Sequence, residues 1–359
     1  MSGIGVKAQI LVEPHTLQSR TLPRRSIQEG AWLAVEATSL SGIDAQAWAG
    51  EISQLTYPVI LGRQVVGRIA DPLNGDLPYP VGSRVLVEPV IRCRLCSSCL
   101  AGLSFCLHRH PVNAYGLIPS TEHPGLWGGM AETLYIDPNA RLHQISDDIP
   151  AVTATIAHAL ADGWTWAVQN PRLHPGENVL ILGPGPRGLA CLLAAKSASA
   201  GWVGISGLDV DSDRLDLARK LGADLTVKVT DQDLQTAVAN SLGSRPDVVV
   251  DVTSNDPEAI YTALEIVRPG GRVILASTKG GRPIYSLYSD VIVTKQLQVM
   301  GVLGPSREGF EWGVRQLAID PRLDSLISHH FPLDESHLAL AATSGKLGHE
   351  ELISVAISF

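Results

Sequence analysis

The sequence predicts a two-domain α/β protein, and three observations lead to this fold class. First, the chain has 359 residues, which is more than one hydrophobic core usually organises. Second, residues 1–150 alternate short β-like runs with turns rich in glycine and proline. Third, residues 151–296 alternate apolar strand-like runs with helical stretches, which predicts a parallel sheet with right-handed crossovers. Residues 297–359 are again rich in strand-like runs, and we expect them to return to the first domain.

The individual elements follow from local apolar patterns. Short apolar runs bounded by turn residues predict strands, and apolar residues at helical spacing predict helices. The predicted strands are 32–37, 65–70, 84–87 and 132–136 in the first domain, 178–182, 202–208, 247–251 and 272–276 in the second, and 298–303 and 352–357 in the last segment. The predicted helices are 187–199, 212–221, 233–242, 257–267 and 309–319.

Composition narrows the range of partners. The 28 basic and 36 acidic residues give a net charge of −8, the wrong sign for attraction to nucleic acid or to an anionic membrane. Hydrophobic residues make up 45% of the chain, enough for folded cores, and no apolar stretch approaches the roughly 20 residues that span a bilayer. Residues 1–9 lack the pattern of a signal peptide. We expect a cytoplasmic protein with a small-molecule substrate and no nucleic-acid or membrane partner.

A glycine-rich motif follows the first strand of the predicted parallel sheet. Gly183, Gly185 and Gly188 form a Gly-x-Gly-x-x-Gly pattern directly before an apolar helix. Pro186 and Arg187 stand between the last two glycines. The glycines allow a tight turn, a close approach of backbone to a pyrophosphate and close packing of helix on strand, while the helix N-terminus supplies N–H donors. The motif predicts a dinucleotide site; a glycine-rich turn in an unrelated α/β sheet is the alternative.

An acidic residue at the end of the next strand indicates which dinucleotide binds. Asp209 lies twenty-one residues beyond Gly188, where a carboxylate accepts hydrogen bonds from both hydroxyls of the adenosine ribose. That carboxylate would repel a 2′-phosphate. We therefore expect NAD(H) in preference to NADP(H).

The cysteines are clustered. Four of the five fall within fourteen residues, and they are Cys93, Cys96, Cys99 and Cys106. Because disulfides would be reduced in the cytoplasm, this spacing predicts four thiolates around one tetrahedral Zn²⁺. Four protein ligands leave no open position, so this zinc would be structural and would hold a lobe at about residues 88–110. A cluster of free thiols and an iron–sulfur centre are the alternatives. The fifth cysteine, Cys191, is interpreted as a small buried side chain.

Together these motifs resemble the medium-chain dehydrogenase/reductase family, in its zinc-containing alcohol and polyol dehydrogenase branch. Residues 58–62, 128–132 and 214–224 are also similar to that family, and Arg214 is included among the predicted cofactor-binding residues. The resemblance implies that the first and last segments form a GroES-like β-barrel catalytic domain, with a Rossmann domain between them and a substrate cleft. One departure concerns the cysteines. The family usually has seven residues between the third and the fourth cysteine, whereas this chain has six, between Cys99 and Cys106.

The departures that bear on chemistry concern the catalytic metal of the family. Members with a catalytic zinc carry Cys-Gly-x-Asp, then Gly-His-Glu, then a third ligand before the nucleotide domain. This chain has Ser41-Gly-Ile-Asp44, then Gly62-Arg63-Gln64, and His158 is the match to the third ligand. Arginine carries a permanent positive charge and no lone pair to donate, so Arg63 would oppose a dication. We therefore expect no catalytic zinc.

Residues around this altered site suggest specific roles. In zinc-containing members the aspartate that matches Asp44 orients a metal-binding histidine, and here we expect a charge-assisted pair between Asp44 and Arg63. The alternative is that both face solvent. His158 is interpreted as packed and hydrogen-bonded in the cleft wall, with a proton donor and a surface residue as alternatives. The residues that relay the alcohol proton in some members correspond to Ile43 and Gln46, so this relay is missing.

Further candidates come from the resemblance. Arg187 occupies a position of the glycine loop that is usually apolar and close to the nicotinamide ring. It is predicted to contact the cofactor phosphates or an anionic substrate, with a solvated side chain as the alternative. The segments that line the substrate cleft of the family contain Trp48, Tyr57, His123 and Trp127.

These departures lead to a functional hypothesis. Zinc in this family acts as a Lewis acid during hydride transfer, and without it hydride transfer still suits an acceptor that is already activated, such as an enone, enal, quinone or iminium. We expect an NAD(P)(H)-dependent oxidoreductase, independent of catalytic zinc, that reduces an activated C=C or C=N bond of a small metabolite. Arg63, His158, Ser41 or bound water would polarise that bond or supply the proton.

Two other functions remain open at this point. One is an alcohol or polyol dehydrogenase that uses Arg63 in place of zinc, and the other is an NAD-binding pseudoenzyme or sensor. The joined sheet edges of family members predict a homodimer or homotetramer, with residues 290–299 as a candidate contact.

Overall fold

The computed structural model of the protein describes residues 4–72, 78–103, 106, 113–284, 287–346 and 352–359. Contacts divide the chain into a first unit, residues 1–158 with 314–359, and a second unit, residues 159–313. The boundaries therefore differ from those expected at 150 and 296. Residues 297–313 belong to the second unit because the strand that begins at Gln298 pairs with the strand that begins at Arg272.

Strands in the described residues follow the predicted runs closely. Five strands were not predicted, and they begin at Gly5, Thr16, Leu142, Leu225 and His329. The first two form a separate antiparallel pair, and the other three are runs of three or four residues at sheet edges. In chain order the strands are β1 Gly5–Glu13, β2 Thr16–Pro23, β3 Ala31–Leu40, β4 Gln64–Pro72, β5 Arg84–Val87, β6 Thr133–Ile136, β7 Leu142–Gln144, β8 Asn178–Leu182, β9 Trp202–Gly207, β10 Leu225–Lys228, β11 Val248–Asp251, β12 Arg272–Leu275, β13 Gln298–Gly301, β14 His329–Pro332 and β15 Val355–Ser358.

Helices concentrate in the second unit, and those of the first unit are short. The α-helices are α1 Gly42–Ala49, α2 Ser97–Leu100, α3 Ala151–Ala154, α4 Ala157–Trp164, α5 Pro186–Ser197, α6 Ser212–Lys220, α7 Leu234–Leu242, α8 Glu258–Ile266, α9 Asp290–Thr294, α10 Arg307–Ile319 and α11 Ser336–Thr343. A π-helical turn, Thr165–Gln169, follows α4, and short 3₁₀ turns lie at Asp209–Asp211, Pro321–Leu326 and Leu333–Glu335.

The first unit is built on a mainly antiparallel sheet. The sheet order is β14-β15-β3-β4-β5-β7, β6 pairs with β3, and β1 and β2 form a separate pair. Strand β3 is central because it pairs with β4, β6 and β15, and its residues are mostly buried. The strand runs predicted from alternating sequence in residues 1–150 are therefore confirmed as a β domain, and its core surrounds β3.

The second unit is built on a parallel sheet of the doubly wound type. Its order is β10-β9-β8-β11-β12-β13, in which the first strand, β8, lies at the centre. All pairs are parallel, and the order in which strands are added reverses between β8 and β11. Dinucleotides bind in the crevice at the carboxyl ends of the strands at such a reversal point. The predicted Rossmann sheet is confirmed. No helix in the described parts of the chain is long and apolar enough to cross a membrane.

Candidate active and cofactor sites

The start of α1 forms a tight hydrogen-bonded group, which we call the Ser41 site. It consists of Ser41, Asp44 and Gly62. The backbone N–H and the hydroxyl of Ser41 each donate to Oδ2 of Asp44 at 2.8 Å. The backbone N–H of Gly62 donates to the other oxygen, Oδ1, at 3.0 Å. Asp44 is 0% exposed. Both oxygens of this buried carboxylate thus accept hydrogen bonds, which fixes Gly62, and with it the backbone of the next residue, against α1.

That next residue is Arg63, which is 8% exposed. Its side chain runs across Gly116, where an added Cβ would lie 2.5 Å from Cγ of Arg63. Gly116 has a φ of +80°, a conformation that L side chains rarely adopt. A glycine at 116 therefore makes the room that the arginine needs. This permanent cation directly follows Gly62 in the chain and is largely removed from solvent.

The predicted ion pair between Asp44 and Arg63 is wrong. In the part of the chain that the structure describes, the donors to Asp44 are Ser41 and Gly62, and the guanidinium of Arg63 is not among them. The physical reason is local, because Asp44 stands three residues after the N-cap Ser41 and closes a capping box with it. The alternative that both residues face solvent is also wrong, since both are buried.

His158 is the second residue of α4 and is 4% exposed. Its burial agrees with the interpretation of a packed histidine and is against the interpretation of a surface residue. Its role as a proton donor stays a prediction.

Two of the predicted cleft residues lie near the end of α1. The Trp48 ring lies 5.2 Å from the His15 ring, and Nζ of Lys346 lies 5.9 Å from the centre of the Trp48 ring. The hydroxyl of Tyr57 donates to the backbone carbonyl of Ala47 at 2.8 Å. Burial raises the pKa of Tyr57, so its proton is held more firmly than usual. Contact of these two side chains with substrate stays a prediction.

The other two predicted cleft residues are placed differently. His123 is exposed. Trp127 is buried, its ring packs edge-on against Tyr135 at 4.9 Å, and its Nε1 donates to the carbonyl of Glu122 at 3.1 Å. Trp127 is therefore a core residue of the first unit, because its large ring is enclosed by other aromatic side chains.

The four clustered cysteines converge in the first unit, and we call them the cysteine cluster. The cluster consists of Cys93, Cys96, Cys99 and Cys106, whose sulfur atoms all lie within 4.8 Å of one another. Six residues before the fourth cysteine are thus sufficient to close the group. Of the predicted lobe at about 88–110, residues 104–105 and 107–110 lie outside the described residues.

The donor set of the cysteine cluster fits a tetrahedral zinc. Backbone N–H groups of Leu95 and Cys96 donate to Sγ of Cys93 at 3.4 and 3.3 Å. Burial raises the pKa of Cys99 to about 11, and hydrogen bonds with the neighbouring thiols add to the rise. A bound cation would offset the free-energy cost of deprotonating these thiols, because four thiolates need positive charge between them. The fifth cysteine, Cys191, is buried in α5, as expected.

The glycine loop of the second unit is formed as the sequence predicts. Gly183 has a φ of +103°, and Gly185 is the N-cap of α5, with Pro186 at its first position. A Cβ on Gly188 would lie 1.9 Å from the carbonyl oxygen of Gly183, so this position has room only for glycine. Apart from its chain neighbours, no atom of the described residues lies within 4 Å of a Cβ added to Gly185, so the side that a pyrophosphate would approach is open.

Arg187 forms an ion pair that the sequence did not reveal. Its Nε donates to Oδ2 of Asp162 at 2.8 Å, and its guanidinium lies 5.5 Å from the centre of the Trp166 ring. The side chain of Asp162 is 1% exposed. The alternative of a solvated Arg187 is therefore wrong, since the guanidinium is held from two sides. Its contact with the cofactor or an anionic substrate stays a prediction.

The two other predicted cofactor residues lie after β9. The side chain of Asp209 is 73% exposed, and its Oδ1 lies 3.5 Å from Nζ of Lys228 at the end of β10. Arg214 donates to Oδ1 of Asp211 at 2.8 Å. The carboxylate of Asp209 is accessible to a ribose, as the prediction requires. Sequence reasoning missed Lys228, because no pattern links it with a residue 19 positions away.

The chain was compared with known families and proteins. The family model described as an alcohol dehydrogenase GroES-like domain matches residues 28–147, and the one described as a zinc-binding dehydrogenase matches residues 186–318. The chain is 37% identical over 340 residues to a probable alcohol dehydrogenase of Mycobacterium tuberculosis, which covers 92% of this chain and 89% of that protein. It is 32% identical over 325 residues to an L-threonine 3-dehydrogenase of Chromobacterium violaceum, which covers 88% and 89%.

A solved structure also resembles this fold along nearly its whole length. An alcohol dehydrogenase of Thermotoga maritima superposes with a TM-score of 0.87 at 23% identity, covering 99% of this chain and 100% of that one. At this identity the match supports the fold.

Proposed function

The chain belongs to the zinc-type medium-chain dehydrogenase family and is an oxidoreductase; from this premise we propose that it acts with NAD(H) and without a catalytic zinc. Its substrate would be a small metabolite with an activated C=C or C=N bond. The cysteine cluster would hold one structural zinc.

The observation that carries this proposal is the bonding of the Ser41 site. Both oxygens of Asp44 accept hydrogen bonds from Ser41 and Gly62, and the next residue along the chain is the buried cation Arg63. A zinc site needs deprotonated or neutral donors with free lone pairs. At the positions that match the zinc ligands of the family, Ser41 has a neutral hydroxyl in place of a thiolate, and Arg63 has a guanidinium with no lone pair to donate. A buried cation is suited to stabilise negative charge that develops on a substrate.

We assign the side chains of the first unit the following roles in the reaction. When bound, the reduced nicotinamide would supply a hydride. Arg63 would donate N–H hydrogen bonds to the carbonyl oxygen of an enone, or to the nitrogen of a neutral imine, as negative charge moves onto that atom. In a C=C reduction the hydride goes to the β carbon, the π electrons move towards the carbonyl oxygen, and a proton then reaches the α carbon. Ser41, His158 or water would supply that proton.

The preference for NAD(H) rests on Asp209. Its exposed carboxylate would accept hydrogen bonds from the adenosine ribose and repel a 2′-phosphate. We expect Asp209→Ala to weaken NADH binding and strengthen NADPH binding, so that their affinity ratio changes by at least about tenfold. Exposed Asp231→Ala in the same unit is the control. An unchanged ratio in Asp209→Ala would contradict this role.

The experiment that tests the reaction combines metal analysis with turnover. Purified protein is expected to contain about one zinc per chain by mass spectrometry, and to oxidise NADH with an enone such as 2-cyclohexen-1-one or with a cyclic imine. A chelator that spares the structural zinc should leave this rate unchanged. Two zinc ions per chain, or alcohol oxidation that a chelator abolishes, would overturn the proposal.

A second candidate is an NAD⁺-dependent alcohol or polyol dehydrogenase in which Arg63 acts as the electrophile. The relatives favour it, because one is described as a probable alcohol dehydrogenase and another as an L-threonine 3-dehydrogenase. Oxidation of 2-butanol, xylitol or L-threonine by the one-zinc protein, without reduction of enones or imines, would select this candidate. Assembly as a homodimer or homotetramer stays a prediction that sedimentation would test.

A further inference from the structure

A buried lysine lies at the carboxyl edge of the parallel sheet. Lys279 follows β12, and its side chain is 7% exposed. Its Nζ lies 2.8 Å from Oδ2 of Asp251 and donates to the carbonyl oxygen and the hydroxyl of Thr253 at 2.5 and 2.8 Å. We call these three residues the Lys279 cluster. The ammonium has an ion pair and two hydrogen bonds in a place that solvent hardly reaches, so this contact holds the chain after β12 to the chain after β11.

Asp251 completes the cluster. It is the last residue of β11 and is 0% exposed. Its Oδ1 accepts hydrogen bonds from the backbone N–H of Thr253 at 2.9 Å and from the hydroxyl of Thr253 at 2.6 Å. The amide, the carbonyl and the hydroxyl of Thr253 therefore all bond to the charged pair. Lys279 and Asp251 thus hold Thr253 through four hydrogen bonds.

Thr253 in turn contacts the glycine loop. A Cβ added to Gly183 would lie 3.2 Å from Cγ2 of Thr253 and 3.4 Å from its backbone nitrogen. Val252 lies as close to this loop, since its Cγ2 would be 3.4 Å from a Cβ on Gly183 and 3.4 Å from one on Gly188. The N–H of Val252 also donates to the carbonyl of Leu182 at 3.0 Å. Val252 and Thr253 thus lie on the β11 side of this loop, next to the predicted pyrophosphate site.

The sheet order indicates which half of a dinucleotide meets this cluster. Strand β8 and the glycine loop lie between β9 on one side and β11 on the other. Asp209, the predicted ribose ligand of the adenosine half, follows β9, and the N-terminus of α5 is the site for the pyrophosphate. The other half of the dinucleotide must then extend over β11 and β12. Those are the strands whose carboxyl ends carry Asp251 and Lys279.

We propose that Lys279 and Asp251 are positioning residues for the nicotinamide half of the cofactor. They fix Thr253, and with it the segment after β11, at the point where the strand order of the sheet reverses. The inference rests on the proposed use of a nicotinamide dinucleotide and is independent of the substrate and of zinc. Removing one partner would leave the other charge buried and uncompensated, so the loop after β11 would move from its place.

The test compares the binding of NADH with that of ADP, which lacks the nicotinamide half. Titration calorimetry of Lys279→Met should show NADH binding weakened by about tenfold or more, and ADP binding within about twofold of wild type. Lys279→Arg keeps the charge and should recover most of the NADH affinity. The matched control is Lys196→Met, which breaks another lysine–aspartate pair of the same unit, with Asp224, and should leave both affinities unchanged.

Equal losses of NADH and ADP affinity in folded Lys279→Met, or no loss of either, would overturn the proposal. If Lys279→Met fails to fold, the NADH and ADP affinities of Thr253→Val test the proposal instead. This variant keeps the side-chain volume and removes the hydroxyl that bonds both charges, so NADH binding should weaken by about threefold while ADP binding holds. Unchanged NADH binding in Thr253→Val would be decisive against the inference. Wild-type protein that binds ADP but not NADH would instead refute the proposed cofactor.

Discussion

The cysteine cluster and the Ser41 site both lie in the first unit, and they differ in what their donor atoms are free to do. In the cysteine cluster four sulfur atoms converge within 4.8 Å of one another. In the Ser41 site both oxygens of Asp44 already accept hydrogen bonds, and the neighbouring Arg63 is a permanent cation. The difference teaches that donor chemistry decides what each region can hold. The first fits a dication, whereas we propose that the second fits the negative charge of a reacting substrate.

The largest effect is expected from the cysteine cluster. Cys99→Ala should reduce zinc from about one per chain to near zero and lower the unfolding midpoint by about 10 °C or more, because zinc-binding free energy is folding free energy. Mass spectrometry and calorimetry measure the two quantities. Cys191→Ala is the matched control, since Cys191 lies outside the cluster and its loss should leave the zinc in place. A Cys99→Ala protein that keeps its zinc would contradict the proposal that the cysteine cluster binds this metal.

The next effect concerns catalysis at Arg63. Arg63→Ala should lower kcat for enone or imine reduction by about 100-fold, since it removes the donor that stabilises developing charge. Arg63→Lys keeps the charge but not the planar pair of donors, and should lose about tenfold. Steady-state rates at saturating NADH give both numbers.

The control for Arg63 is Arg20→Ala, at an exposed position of β2. Its kcat should equal that of wild type. If Arg63→Ala retains the full rate while its urea midpoint is unchanged, Arg63 is not a catalytic residue.

A smaller effect is expected from Asp44→Asn. The amide has one oxygen where the carboxylate has two, so either Ser41 or Gly62 loses its acceptor inside the protein. The free energy of unfolding should fall by about 2 kcal/mol, the usual cost of an unsatisfied buried donor. Urea titration measures it. The exposed Asp334→Asn serves as the control, and because it breaks only a surface pair with Lys7 its effect should stay below about 1 kcal/mol.

The smallest effect is expected from Ser41→Cys. This change restores the first cysteine of the zinc-family pattern but leaves Arg63 in place, so the zinc content should remain about one per chain. The double variant Ser41→Cys/Arg63→His also supplies an imidazole and should gain a second zinc. A second zinc in the single variant would mean that the charge of Arg63 does not decide metal binding at this site.

The features that were predicted correctly depend on local sequence patterns. Strand β8, the glycine loop and α5 are contiguous, so their geometry follows from turn and helix preferences of neighbouring residues. The closure of the cysteine cluster also follows from short spacing. The Asp44–Arg63 pair failed because attraction between opposite charges was weighed above a local capping pattern. Ser41-x-x-Asp44 is such a pattern, and it could have been recognised.

Contacts between residues far apart in the chain could not be predicted from the sequence. The ion pair of Arg187 with Asp162 joins residues 25 apart, and the bonds of Lys279 to Thr253 join residues 26 apart. No periodicity or motif links such positions, because they meet only when the strands and helices are assembled. The assignment of residues 297–313 to the second unit has the same origin, since β13 is defined by its pairing with β12.

The sequence by itself determined the fold class, the dinucleotide loop and the four sulfur donors, because each depends on residues that are neighbours in the chain. The tertiary structure alone decided how charges are used. It brought Gly62 to Asp44, Asp162 to Arg187 and Asp251 to Lys279. The physical reason is that a buried charge takes the partner that the fold brings within hydrogen-bonding distance, and chain order does not encode that distance.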